Sequence, residues 1–236
     1  MKFDALTHLY FVGIGGIGMS ALARFFNASG RKVAGYDRSA SALTLELESE
    51  GIDVVYEEAL TAFDFSAFPV ASTLVVYTPA VPAAHPQLIW LQQNNYTVMK
   101  RAQVLGVVSE GLQSICIAGT HGKTTVSTLT AHLLKQSLVD CHAFIGGISK
   151  NYHTNYLTSP KSNWVVLEAD EYDRSFLQLS PQMAVVTSAD ADHLDIYGEG
   201  KHVTEAFEQF LGKVKPQGVM VIKKGLPLAI NPLPSQ

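Results

Sequence analysis

The 236 residues carry 47% hydrophobic and only 16% charged side chains, which excludes a disordered chain and allows one large domain or two of ordinary size. The formal net charge of −4 gives no electrostatic case for nucleic acid as the main partner. Two cysteines, Cys116 and Cys141, lack metal-ligand spacing and do not suggest a secreted disulfide scaffold, so a reducing cytoplasm suits the chain.

In chain order, residues 8–14 read as a short apolar strand, followed by a glycine cluster and a helical pattern over 19–28. The apolar stretch 9–26 approaches the length of a bilayer span. Gly13, Gly15, Gly16, Gly18 and Arg24 divide it into strand, turn and helix, so no membrane insertion is expected. Strands follow at 32–36, 53–56, 73–78 and 97–99, with helices at 41–50, 86–95 and 101–109. Alternation at this spacing predicts a parallel α/β sheet. Gly111 marks a boundary, giving a first domain over 1–110 and a second from 111 to 236.

The second domain is read as strands at 114–118, 143–145, 164–168, 183–187 and 218–222, with helices at 126–135 and 203–213. The polar segment 151–163 is expected to be a loop, and Cys116 a small core residue. Residues 226–236 carry three prolines and little periodicity, so the chain reads as a fragment whose second domain is incomplete.

Two glycine-rich turns carry chemistry. Gly13-Ile-Gly-Gly-Ile-Gly18 fits G-x-G-x-x-G between a strand and a helix, with Asp37 nineteen residues on. The glycines let backbone approach a pyrophosphate and the acid accepts from a ribose hydroxyl. NAD and a UDP-sugar fit this pattern equally, and a tight turn without ligand is the bland alternative. The second turn, Gly119-Thr-His-Gly-Lys-Thr-Thr125, opens a helix after a buried strand. Backbone N–H groups and the helix N-terminus suit phosphates, Lys123 would reach the β/γ-phosphates, and the Thr124 hydroxyl is placed for Mg²⁺. The loop is two residues tighter than G-x-x-x-x-G-K-[ST], which asks for glycine where Ile117 stands.

Acids follow the strands on either side. Glu168, Asp170 and Glu171 end one apolar run, where acids after a phosphate loop commonly hold Mg²⁺. Asp192, His193 and Asp195 follow the next and could ligate metal or orient substrate. His121 would orient its turn or a substrate, and the other histidines share no spacing. Lys100 and Arg101 read either as a solvated pair or as partners of ligand phosphates.

These motifs, with Glu168-Ala-Asp-Glu-Tyr-Asp-Arg-Ser-Phe176 and Asp190-Ala-Asp-His-Leu-Asp-Ile-Tyr197, resemble the Mur ligases of peptidoglycan synthesis over about residues 8–224. The resemblance implies a Rossmann-like UDP-binding domain and a P-loop ATPase domain, with the family's third, C-terminal domain absent from the chain. It implies an ATP- and Mg²⁺-dependent ligase that joins L-alanine to UDP-N-acetylmuramate through an acyl phosphate, in cell-wall biogenesis in the cytoplasm. A murein tripeptide ligase of the same family and a binding-only fragment are the alternatives. By resemblance, Lys123, Glu168 and His193 are catalytic, and Gly119, Thr120, His121, Gly122, Lys123, Thr124 and Thr125 bind ATP. Thr124, Glu168 and His193 hold metal, and Gly13, Gly15, Gly16, Gly18 and Asp37 take the UDP-sugar. Ser188 stands where many family members carry asparagine.

Overall fold

A computed structural model describes residues 3–190 and 200–229. The chain divides into two compact units, Met1–Val104 and Leu105–Gln236.

The first unit is built on five parallel strands in the order β3-β2-β1-β4-β5. These are β1 (His8–Val12), β2 (Lys32–Tyr36), β3 (Asp53–Val55), β4 (Thr73–Tyr77) and β5 (Thr97–Lys100). Helices α1 (Ile17–Ala28), α2 (Ala42–Ser49) and α3 (Pro86–Gln93) connect them. Ser41 caps α2 by accepting the Thr44 N–H, while the Thr44 hydroxyl accepts the Ser41 N–H, so four orphan groups are reduced to two. Alternate strand residues Tyr10, Val12, Ala34, Tyr36 and Val75 share one buried cluster with Phe65, Phe68, Leu91 and Tyr96. No α-helix joins β3 to β4. Three short 3-10 turns between Leu60 and Ser72 fill that place with aromatic rings instead. Tyr10 meets Phe63 and Phe65 at centroid distances of 4.8 and 4.9 Å, and its hydroxyl donates to Gln87 at 2.9 Å.

Helices α1 and α2 are joined through a buried arginine. Arg24 Nε donates to both carboxylate oxygens of Glu50 at 2.9 Å, and its Nη2 donates to Glu46 at 2.9 Å. The guanidinium is 6% exposed, whereas Glu46 and Glu50 keep 47% and 38% exposure and can fall back on water. Arg24→Met keeps the stem and removes the fork. It is expected to destabilise the unit by about 2 kcal/mol, below the loss for a fully buried pair. Urea unfolding checks this through the midpoint, with the m-value unchanged.

The second unit carries six strands in the order β11-β10-β6-β9-β7-β8. They are β6 (Gln113–Ala118), β7 (His142–Ser149), β8 (Thr154–Leu157), β9 (Trp164–Glu168), β10 (Met183–Val186) and β11 (Val219–Ile222). Helix α4 (Arg101–Gly111) enters the unit, and α5 (Lys123–Lys135) and α6 (Gly200–Leu211) follow. All neighbours run parallel except β8, which is antiparallel to β7. Ile115, Ile117, Ala131, Cys141, Ala143, Ile145, Leu157 and Val166 form a core between α5 and the sheet. Lys215 closes α4 by donating to the carbonyls of Ser109, Glu110 and Leu112 at 2.9–3.1 Å.

One expectation is overturned. Residues 151–163 are not all loop, because Thr154–Leu157 forms the edge strand β8, with Asn155, Tyr156 and Leu157 buried. A four-residue strand is too short to show a period of two, and a buried Asn155 makes it look polar. The turn before it is set by His153 in the left-handed region, at φ 53°. Strand β7 also runs past 143–145 to Ser149, its apolar run interrupted by Gly146 and Gly147. Helix α1 begins earlier than expected, at Ile17, because its glycine N-cap leaves no side-chain start signal, while α5 opens at Lys123 as the loop motif implies.

Candidate functional site

Strands β10, β6 and β9 are adjacent and parallel, so their carboxyl ends open on one edge of the sheet, where open α/β sheets bind ligands. The chain leaves β6 at Ala118 and turns through Gly119, at φ 142°, and Gly122, at φ 84°, into α5. A side chain at Gly119 would collide with the Thr187 hydroxyl and lie 2.9 Å from the Ser188 nitrogen. Gly122 caps α5 without a side-chain hydrogen bond, which leaves the first-turn N–H groups facing the loop.

The end of β10 fixes the loop. Thr187 donates to the His121 carbonyl at 2.6 Å, and Ser188 Oγ accepts the His121 N–H at 2.7 Å while lying 2.9 Å from Thr120 Oγ1. The Asp190 N–H donates to Thr120 Oγ1 at 3.2 Å. Ser188 is thus a loop anchor, a contact that an asparagine signature gives no reason to expect. The His121 ring itself is 70% exposed, 3.9 Å from Asp190.

At the end of β9 the three acids part company. Glu168 accepts from the Thr124 hydroxyl at 3.0 Å and from the Gly146 N–H at 3.1 Å. Burial pushes its carboxyl above the usual range, against the pull of those two donors and of Lys123. Asp170 accepts the Tyr172 N–H at 3.2 Å and stays with its own turn. Glu171, 1% exposed, pairs with Lys123, whose Nζ lies 2.9 Å from Oε1 and 2.8 Å from Oε2 and also donates to the Gly119 carbonyl at 2.8 Å.

The sequence therefore brings Gly119–Thr125, Lys123, Thr124 and Glu168 to one sheet edge. Asp192, His193 and Asp195 lie outside the described residues, and among the described residues no group of three or more His, Cys, Asp or Glu side chains could hold a metal. Two contributors, Thr187 and Gly146, were not singled out from sequence, and Glu171, read with Glu168 and Asp170 as a metal-holding acid, pairs with Lys123 instead. Thr187 looks like a strand residue. Gly146 lies inside an apolar run. A glycine pair within a strand is the one signal that points to close approach. Cys116 is fully buried, and burial pushes its thiol up to about 12, in keeping with a core role.

In the first unit, Gly13 takes φ 89°, and the Gly15 N–H donates to Asp37 Oδ2 at 2.7 Å. A Cβ at Gly15 would sit 2.8 Å from that oxygen. A Cβ at Gly18 would meet Arg101 Nη1 at 2.5 Å, so the Arg101 guanidinium lies over the first turn of α1. The N-cap of α1, Gly16, has no side-chain hydrogen bond. A helix N-terminus with a glycine cap and a guanidinium above it suits an anion. His85 is buried against the Tyr36 ring at 4.5 Å, and burial lowers its pKa.

A Rossmann-like parallel sheet followed by a sheet with a Gly-x-x-Gly-Lys-Thr loop opposite an acidic strand end defines a two-unit α/β protein with a loop of the phosphate-binding type. The chain belongs to the Mur ligase family: residues 8–111 match its catalytic domain and residues 117–230 its middle domain. A curated relative from Parabacteroides distasonis, named UDP-N-acetylmuramate–L-alanine ligase, is 52% identical over 226 residues, 96% of this chain and 49% of that one. One of the same name from Porphyromonas gingivalis is 52% identical over 227 residues, again 96% and 49%. The chain spans about half the length of the curated relatives it matches. Among solved structures, UDP-N-acetylmuramate-alanine ligase MurC from Thermotoga maritima superposes with TM-score 0.80 at 28% identity, covering 93% of this chain and 49% of that one. The UDP-N-acetylmuramate:L-alanyl-gamma-D-glutamyl-meso-diaminopimelate ligase from Neisseria meningitides shares the fold, with TM-score 0.82 at 24% identity over 94% and 72% of the two chains. No helix among the described residues is long and apolar enough to cross a membrane.

Proposed function

We propose that this chain carries the UDP-sugar-binding and ATP-binding units of a UDP-N-acetylmuramate–L-alanine ligase acting in the cytoplasm. The observation that supports it most is the second unit's loop, where Thr124 meets Glu168 and Lys123 stands beside them on Glu171, in a chain half identical to relatives of that name. The murein-peptide alternative rests on 24% identity.

In this reading the lactoyl carboxylate of UDP-N-acetylmuramate attacks the γ-phosphate of ATP and releases ADP, and the amine of L-alanine then displaces inorganic phosphate from the resulting acyl phosphate and loses a proton to give the amide. Phosphoryl transfer of this kind relies on positioning and charge neutralisation more than on covalent help from the protein. The N–H groups of the loop and of α5 cradle the phosphates, and Lys123 neutralises charge on the transferring group. Two hard oxygen donors 3.0 Å apart, the Thr124 hydroxyl and Glu168 carboxylate, fit Mg²⁺. A Mg²⁺ held by these two residues would supply charge neutralisation for the phosphates. His193 takes its proposed metal role from the resemblance alone. The turn from Gly13 to Gly18, with Asp37, takes the UDP moiety.

Calorimetry on the 236-residue chain with Mg²⁺ and a non-hydrolysable ATP analogue, and separately with UDP-N-acetylmuramate, tests this. Both ligands are expected to bind. Lys123→Ala should weaken the nucleotide by roughly 30-fold, the worth of a charge-assisted contact, and leave the UDP-sugar unchanged. Tight NADH binding without UDP-sugar affinity would sink the reading.

A further inference from the structure

The Lys123–Glu171 pair has no place in that chemistry. An ammonium has three donors, and here the Gly119 carbonyl and the Glu171 carboxylate occupy Lys123 at 2.8–2.9 Å. The lysine is thus folded back on its own loop. The backbone that carries its partner is pinned on both sides. The Glu171 carbonyl accepts the Arg174 N–H at 3.0 Å, the Asp170 carbonyl accepts the Phe176 N–H at 3.0 Å, and the Ala169 N–H donates to Ile117 at 2.8 Å. Phe176, 1% exposed, is stacked on Phe210 at 5.1 Å and locks the following turn. The turn that carries Glu171 is held by backbone and core, while the lysine rides on a flexible stem.

We propose that Glu171 is a built-in competitor for Lys123 and a positioning residue that sets the nucleotide affinity of the loop. The proposal rests on the reading of that loop as a nucleotide site. A terminal phosphate can engage Lys123 fully only by drawing it from Glu171, and the carboxylate, 1% exposed, gives up that ion pair when the lysine leaves. Nor can Glu171 neutralise an anionic ligand, since its own charge opposes the phosphates at close range. The pair therefore lowers ground-state affinity for the nucleotide and holds the ammonium at the mouth of the loop until a triphosphate displaces the carboxylate.

The test is calorimetric titration of the 236-residue chain with Mg²⁺ and a non-hydrolysable ATP analogue, and with inorganic tripolyphosphate. Glu171→Gln preserves shape and removes the charge. It is expected to tighten both anions by roughly ten-fold, the worth of one charge-assisted hydrogen bond. Glu171→Met, which removes the acceptor too, should move affinity in the same direction, so the outcome does not hang on one variant's folding. A purely structural Glu171 would lower the thermal midpoint while leaving affinity unchanged or weaker, and that result overturns the proposal. If the wild type binds and Lys123→Ala does not, yet neither Glu171 variant binds more tightly, the proposal fails and the nucleotide reading stands. If no variant and no wild type binds either anion, both fall together.

Discussion

Gly119→Ala is expected to abolish nucleotide binding, with affinity falling on the order of 10³-fold, and to destabilise the second unit by about 3 kcal/mol. Two independent costs combine. The backbone at Gly119 has φ 142°, a region that L side chains rarely adopt. The new Cβ would strike the Thr187 hydroxyl and lie 2.9 Å from the Ser188 nitrogen and 3.2 Å from its carbonyl oxygen. The last two are backbone atoms of the strand end, and Thr187 is stiff at χ1 and bonded to the His121 carbonyl, so none yields cheaply. Relief requires β6 and β10 to part at the edge that holds the loop. Gly122→Ala makes the control. Its φ of 84° carries left-handed strain, but the nearest atoms are 3.9 Å away, so about 1 kcal/mol is expected without loss of the loop. Urea unfolding and nucleotide calorimetry measured side by side check both. An alanine at 119 with wild-type affinity would mean that the loop is not held in the conformation described.

Much of the fold was legible because each parallel strand is a continuous apolar run ended by turn residues. Lys32–Tyr36 and Trp164–Glu168 were read with their observed bounds for that reason. Strand β8 was not, since its burial comes from pairing with β7 rather than from any apolar period of its own. The phosphate loop was legible as well, because its glycines and lysine are adjacent in sequence. Its supports come from three separate strands. Thr187 and Ser188 reach it from β10, Glu171 from beyond β9, and Gly146 meets Glu168 from β7. Those contacts depend on strand order, β10-β6-β9-β7, which no local pattern encodes. Three acids stand together at the end of β9. Only the fold separates them into one that meets Thr124, one that meets Lys123 and one that serves its own turn.

The position of Glu168 yields the second large effect. Gly146→Ala is expected to leave the unit folded, with a loss of about 1 kcal/mol, yet to raise the Mg²⁺ concentration needed for half-maximal nucleotide binding by about 100-fold. Gly146 has no positive φ, so alanine fits its backbone. The Cβ instead lands on the carboxylate of Glu168, whose terminal atoms sit where it must go. A carboxylate at the end of a flexible side chain can swing aside. In doing so it gives up the Thr124 hydroxyl at 3.0 Å and the Gly146 N–H at 3.1 Å that now aim it. The structural cost stays small because the acid moves toward water, and the functional cost is large because the two oxygen donors no longer face one point. Gly147→Ala, 3.7 Å from Thr124 Cγ2 and in ordinary contact, should change neither quantity. Titrating Mg²⁺ at fixed nucleotide, with thermal midpoints recorded for the same samples, separates the two effects. A wild-type Mg²⁺ midpoint in Gly146→Ala would mean that the metal does not depend on Glu168, and that the closeness of Thr124 and Glu168 serves only to tie α5 to β9.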